Sequence, residues 1–340
     1  MKAIYLIKNG DSKKAFEIRE TDIPNPGKGE IVVKVEASGL NYADVMARRG
    51  LYKAAPAIPS ILGYDVAGTI HAIGLDIKGL KIGQRVAAMS RFGGYAEYAL
   101  TQAGAVISLP DSIDFALATA LATQAATAVY CADFAIRLYR GDRILVHAAA
   151  GGVGTILVQL AKAKGCIVYG SASGLKHSYL KEIGVDFPVD SHAENPLEEV
   201  AKNLNREKLD VIFDNIGGLS FQKGFKMLGP GGRMVAYGAA AQNRGKKSSQ
   251  LNSIRVGMGF GFYSPIGMIV KSQSVTGVNM LSIADHKPMI LKEVMDEVGR
   301  LTKEGIIRPV LGKAFPADRI AEAHDFLESR KSTGKIALLW

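Results

Sequence analysis

The stretch LVHAAAGGVGTILVQLAKAKG, residues 145–165, decides the fold. Leu145 to His147 close an apolar, β-branched run, and from Gly152 onward apolar side chains recur at helical spacing, so a strand turns directly into a helix. Aligned on its last glycine, the turn places Ala149, Gly151 and Gly154 where a G-x-G-x-x-G turn has its three glycines. Gly151 lets the backbone approach a pyrophosphate closely, and Gly154 lets the helix pack tightly on the strand. Ala149 is the departure, acceptable where that position needs no positive φ. Ala150, Gly151, Gly152, Val153 and Gly154 are therefore the expected dinucleotide phosphate cradle.

Downstream the chain alternates. Strand-like CIVYGSA, DFPVD, LDVIFDNIG, GRMVAYGA and SVTGVNM are separated by the helical segments KHSYLKEIG, PLEEVAKNLN and FQKGFKML. That order predicts a βαβ series and a doubly wound, mostly parallel sheet of α/β class. Asn195 is expected to cap a helix opened by Pro196, with Glu198 and Glu199 complementing its dipole.

The second strand bears on which dinucleotide is held. A site for NAD usually has an acid at its end, about 20 residues on, to accept from the ribose hydroxyls. Here Ala172 stands at that place, and no acid occurs before Glu182. Ser173 and Lys176 follow, a hydroxyl and an ammonium suited to a 2′-phosphate, so NADPH is the expected cofactor. The alternative for Lys176 is an ordinary solvent-facing lysine.

Before this region, residues 1–109 show short β-type runs punctuated by glycine, among them GEIVVKVEASGLN and LGYDVAGTIHAIG, which predict an irregular barrel-like region. An alanine-rich segment, DFALATALATQAATAVYCADF, reads as one or two helices. Beyond Ile283 two helices and the strands GKAFP and GKIALLW are expected to return to the first domain.

With 340 residues, 48% hydrophobic and 22% charged, the chain is long enough for two cored domains and poor in the signatures of disorder. Its apolar runs break before the roughly 18–20 residues of a membrane span, and no secretory signal is read at the N-terminus, so a cytoplasmic location is expected. Two cysteines, Cys131 and Cys166, support no disulfide framework. The net charge of +10 is scattered, and its densest group, NRGKKS at 243–248, has no interleaved aromatics; a solvated loop is expected there and no nucleic-acid partner.

GLNYADVMARRGLY at 39–52, PSILGYDVAG at 59–68, IGQRVAA at 82–88, GGYAEY at 93–98 and HAAAGGVG at 147–154, with GKIALLW at the end, together resemble the medium-chain dehydrogenase/reductase superfamily. The resemblance is closest to its zinc-independent quinone oxidoreductase branch, the zeta-crystallin and synaptic-vesicle-protein-homolog group. It implies a GroES-like catalytic domain at 1–121 and 284–340 around a Rossmann domain at 122–283. Zinc-dependent members of that superfamily have a cysteine where this chain has Asn41, and a histidine–glutamate pair where it has Tyr64 and Asp65. A structural zinc would need four closely spaced cysteines. No metal is therefore expected.

Without a metal, a carbonyl must be polarised by hydrogen-bond donors and the cofactor. The resemblance implies NADPH-dependent reduction of a small quinone or an α,β-unsaturated carbonyl. It places Tyr52 and Asn41 beside the nicotinamide, Tyr52 as a proton donor or as a ribose or stacking contact. Thr127 matches a family position near the nicotinamide, with a helix residue bonding back to its own turn as the alternative. Asn215, Tyr237, Gly238, Val278, Asn279 and Met280 fall at the carboxyl ends of predicted strands, where open α/β sheets bind ligands, and the family places its cofactor at these loops. Asp44 and Asp65 read as carboxylates in structural hydrogen bonds, with a catalytic role as the alternative. The segment VGMGFGFYSPIGMIV, 256–270, reads as a cleft lining, a subunit interface or a packed connection, and the family's habit of joining sheet edges implies a homodimer. Two other readings stand beside a quinone or enone reductase: an enoyl-thioester reductase, and a non-catalytic NADPH-binding structural or interaction protein.

Overall fold

A computed structural model describes residues 1–240 and 256–340, so the basic group at 243–248 lies outside the described residues. The chain divides into two compact units, one formed by Met1–Ala126 with Met280–Trp340 and the other by Thr127–Asn279.

The second unit is a Rossmann-type α/β domain. Six strands, β9 (Arg143–Val146), β10 (Ile167–Ala172), β11 (Phe187–Asp190), β12 (Leu209–Asp214), β13 (Leu228–Ala236) and β14 (Ser274–Gly277), lie in the order β11-β10-β9-β12-β13-β14. Every pair is parallel. The order reverses between β9 and β12, which fixes the crevice at their carboxyl ends as the ligand position. The central strands read as nearly unbroken apolar runs because helices cover both faces: Ile144, Leu145, Val146, Val211, Ile212 and Phe213 are fully buried. The helix Gly152–Ala163 supplies Ile156, Leu157, Val158, Leu160 and Ala161 to that core.

Helix Pro196–Leu204 begins with proline and carries Glu198 and Glu199 in its first turn, but the Asn195 side chain makes no capping hydrogen bond. Its backbone, at φ −133° and ψ 77°, lies outside the extended region, ψ of roughly 100–180°, that an N-cap residue typically adopts.

The other unit is the GroES-like, β-rich domain. Strands β1 (Lys2–Leu6), β2 (Phe16–Glu20) and β4 (Ser60–Ile61) form a small antiparallel sheet. The larger sheet combines β3 (Glu30–Leu40), β5 (Asp65–Ile73), β6 (Arg85–Met89), β7 (Tyr98–Gln102) and β8 (Val106–Ser108) with β15 (Leu311–Pro316) and β16 (Lys335–Leu339). Long β3 pairs with β5 along its length, with β7 over Glu30–Lys34 and with β16 over Ala37–Leu40. The alanine-rich segment becomes the helices Phe115–Ala118 and Thr123–Val129, continued by a π-helical turn over Tyr130–Phe134.

Candidate functional site

In the Rossmann unit the turn after β9 is built by close approach. Gly151 is the N-cap of helix Gly152–Ala163, at φ −82°, and its N–H donates to Ala148 O at 2.8 Å. A Cβ on Gly154 would stand 2.3 Å from that same carbonyl oxygen, so only glycine lets the helix sit this near the strand. The left-handed residue of the turn is Ala148, at φ 50°, and Ala149 has no positive φ. Ala149 is fully buried, and a Cβ on Gly170 of β10 would meet its methyl at 3.0 Å. The missing side chain of Gly170 thus makes room for the alanine that replaces the first glycine of the motif. Gly152, Val153 and Gly154 occupy the first helical turn, whose N–H groups have no intrahelical acceptor and point outward for an anion. No carboxylate stands on the turn itself, so the cradle fits a pyrophosphate.

Ser173 and Lys176 flank the turn of 3₁₀ helix Gly174–Lys176 after β10, where Lys176 N–H donates to Ser173 O at 2.8 Å. Lys176 is half-buried, and burial pushes its pKa below the usual lysine range. The fold brings in one acid that the linear sequence does not place nearby: Asp190, at the end of β11, accepts from Gly174 N at 3.2 Å and His192 N at 2.9 Å.

The loops after β12 and β13 meet each other. Ala240 N donates to Asn215 O at 3.0 Å, and a Cβ on Gly238 would lie 2.9 Å from that oxygen. Tyr237 N is held by Asp214 O at 2.9 Å, and its buried hydroxyl completes no hydrogen bond. Asp214 Oδ1 accepts from Ile216 N at 2.6 Å and Gly217 N at 2.7 Å, which folds the DNIGG loop back on the strand end. Val278 N donates to Ala236 O at 2.8 Å, and exposed Asn279 follows it. Met280 opens helix Met280–His286 in the GroES-like unit, and Thr127 is buried within helix Thr123–Val129.

Sequence reasoning passed over a buried polar group beneath the turn. His147 Nδ1 lies 3.2 Å from Ser171 Oγ, and its Nε2 is buried without a partner. Burial lowers the imidazole's pKa while Asp214 acts against that shift. The signal was present as a histidine at the end of an otherwise apolar strand.

In the GroES-like unit Asn41 begins helix Tyr42–Arg48, and its backbone N–H donates to Asp44 Oδ2 at 2.8 Å. Its side chain is committed on both ends: Nδ2 donates to Asp65 Oδ2 at 2.7 Å, and Oδ1 accepts from Lys335 Nζ at 3.1 Å. Lys335 and Asp65, both fully buried, form an ion pair, and Asp65 also accepts from Thr123 N at 2.8 Å. Tyr52 lies half-buried after this helix and packs on the core that holds Tyr64 and Tyr95. A cavity of about 1670 Å³ in the same unit is lined by Arg91, Phe92, Leu281 and Met289 among others, but by neither Asn41 nor Tyr52.

The strand order and the glycine turn define the class of dinucleotide-binding oxidoreductases with an attached GroES-like domain. Residues 27–111 match the alcohol dehydrogenase GroES-like domain family, and residues 183–338 match the zinc-binding dehydrogenase family. The chain is 32% identical to a quinone oxidoreductase of Pseudomonas aeruginosa, over 96% of each protein. It is 31% identical to the human synaptic vesicle membrane protein VAT-1 homolog, over 97% of this chain and 84% of the relative. The crystal structure of Escherichia coli quinone oxidoreductase complexed with NADPH superposes with a TM-score of 0.84 at 26% identity, covering 100% of both chains. The chain belongs to the medium-chain dehydrogenase/reductase superfamily, in its zinc-independent branch of quinone oxidoreductases and VAT-1-like proteins. Among the described residues no three of His, Cys, Asp or Glu gather as metal donors.

Proposed function

We propose that this chain is an NADPH-dependent reductase of small quinones and α,β-unsaturated carbonyls. The observation that carries the reading is the turn from Ala148 to Gly154, whose close approach leaves the first N–H groups of helix Gly152–Ala163 free for a pyrophosphate. Ser173 and Lys176 support NADPH over NADH, since β10 ends in Ala172 rather than an acid. Asn215, Tyr237, Gly238, Val278 and Asn279, with Thr127 and Met280, are proposed as the remaining cofactor contacts.

When bound, NADPH supplies a hydride to the acceptor. This chain's own residues then hold the acceptor oxygen and deliver one proton. Tyr52 carries the hydroxyl proposed for that donation, and Asn41, spent on Asp65 and Lys335, holds the start of the helix that leads to it. One hydride and one proton convert a quinone to a hydroquinone or an enone to a saturated carbonyl.

We further propose a homodimer joined through β14, an edge strand with Val275 exposed, beside helix Pro265–Lys271, which exposes Ile266, Ile269 and Val270. A cytoplasmic location belongs to the same reading; no helix among the described residues is long and apolar enough to cross a membrane.

NADPH oxidation measured against a panel of quinones, enones and enoyl thioesters tests the activity. Tight NADPH binding with no acceptor reduced would remove the catalytic reading. Lys176→Ala is expected to weaken NADPH at least tenfold while leaving NADH nearly unchanged, because only NADPH carries the 2′-phosphate. Equal loss for both cofactors in a binding titration would count against the assignment.

A further inference from the structure

Strand β10 ends without an acid, but the neighbouring strand brings one to the same level. Ala172 pairs with Asp190 in parallel register, and Ser191 N–H donates to Ala172 O at 2.8 Å, so Asp190 is fixed beside the end of β10. Its carboxylate closes on the 3₁₀ turn that follows. Oδ1 accepts from Gly174 N–H at 3.2 Å, and Oδ2 lies 3.3 Å from where a Cβ on Gly174 would stand. Gly174 is exposed and lies between Ser173 and Lys176, the two residues proposed to hold the 2′-phosphate; Ser173, Lys176 and Asp190 are each partly exposed. A carboxylate is thus built into a turn whose other polar side chains suit an anion.

Backbone donors hold this carboxylate in place. His192 N–H donates to the same Oδ1 at 2.9 Å, and Asp190 N–H itself donates at 3.2 Å to Glu199 Oε2, from the first turn of helix Pro196–Leu204. The bonds from Gly174 and His192 need an oxygen at Oδ1, not a charge, and an asparagine carbonyl would accept them as well. The negative charge of Asp190 is therefore separable from the fold of the turn. It is also the feature that distinguishes the two dinucleotides, because a phosphate monoester carries about −1.5 to −2 charges at neutral pH and the 2′-hydroxyl of NADH carries none.

Resting on the reductase reading above, we propose that Asp190 is a specificity-determining residue of the cofactor site, set against Lys176. Its carboxylate repels the 2′-phosphate that Lys176 attracts, and so narrows the margin by which NADPH is preferred to NADH. A 2′-hydroxyl, uncharged and able to donate a hydrogen bond, meets no such penalty at the same carboxylate. The acid that a site for NAD carries at the end of its second strand is here replaced by one on β11, paired with Ala172 and displaced by one strand. The ratio of the two cofactors is therefore set by two opposed side chains on either side of Gly174, and not by Lys176 alone.

Binding of NADPH and of NADH to the cofactor-free protein, followed by nicotinamide fluorescence, tests this without any acceptor. Asp190→Asn keeps an oxygen for both backbone donors, and is expected to tighten NADPH about tenfold while leaving NADH within about twofold. That gain should shrink as salt is raised from about 0.05 to 0.5 M, since the charges are partly exposed and screened. Adding Asp190→Asn to Lys176→Ala should restore most of the NADPH affinity lost in the single variant. Adenosine 2′,5′-bisphosphate should follow NADPH through these variants, and adenosine 5′-monophosphate should follow NADH. An NADPH affinity unmoved by Asp190→Asn, or an equal change for both dinucleotides, would overturn the proposal and leave Asp190 a backbone acceptor only. If the dinucleotides respond as expected but no acceptor is reduced, the reductase reading fails by itself and the role of Asp190 stands. If neither dinucleotide binds, both fall.

Discussion

His324 is fully buried, its ring tilted at 51° to that of Phe16 with centroids 4.7 Å apart, and neither ring nitrogen has a partner. Burial, aided by Arg48, pushes its pKa down to about 3. The unfolded chain therefore binds a proton that the folded chain refuses, and the associated stability, complete above about pH 6.5, is lost as pH falls. Asp44 works in the opposite sense: its pKa is raised to about 7, so stability present at acid pH is lost as pH rises towards neutrality. Between about pH 4 and 6.5 the two slopes oppose each other. His324→Leu is expected to raise stability at pH 5 by about 2 kcal/mol relative to its effect at pH 7, measured by denaturant unfolding at both values. An unchanged difference between the two pH values would show that His324 is protonated in the folded protein. Neither group was legible in the sequence as a titration site, because burial depends on which segments fold over it. Asp44 was legible as a carboxylate, structural or catalytic, but not as a buried one.

At the scale of elements, the helix Gly152–Ala163 and its turn were the most legible part of the chain. Glycine spacing reports backbone clearance directly, and clearance is what Gly154 provides. Gly154→Ala is expected to abolish measurable NADPH binding and to cost about 1–3 kcal/mol through overpacking against Ala148 O, whereas Ala149→Gly should bind NADPH normally. Calorimetric titration of both variants separates these outcomes. The compensation by Gly170 was not legible, since it needs the register of β10 against β9, which pairs Gly170 with Val146. Asn195 shows the opposite failing: the right residue type preceded Pro196, yet with its backbone at ψ 77° the side chain makes no capping hydrogen bond. Similarly, Asp190 sits beside Gly174 only because β11 runs parallel to β10, pairing Ala172 with Asp190.

For the whole molecule, alternating strands and helices announced the doubly wound sheet, and the resemblance, rather than any periodicity, pointed to a GroES-like unit made from two distant stretches. Lys335 of GKIALLW gave no sign of its role, because a lysine at a strand's start is ordinarily solvated. In the fold it is sealed against Asp65 across 270 positions of sequence. Lys335→Met alone is expected to cost about 3–5 kcal/mol by leaving Asp65 a buried lone charge, and adding Asp65→Asn should recover part of that loss. Denaturant melts of the single and double variants check this. Strand β16, which carries Lys335, lies inside the larger sheet between β15 and β3. This position has a consequence for biosynthesis. The Thr127–Asn279 unit is continuous and can mature as it leaves the ribosome, but β3 must wait, its margin open over Ala37–Leu40 beyond the stretch that β7 covers, until residues 335–339 emerge. A nascent chain stalled before them would therefore hold a finished nucleotide domain and an unclosed partner, and chaperones would meet it at the bare margin of β3.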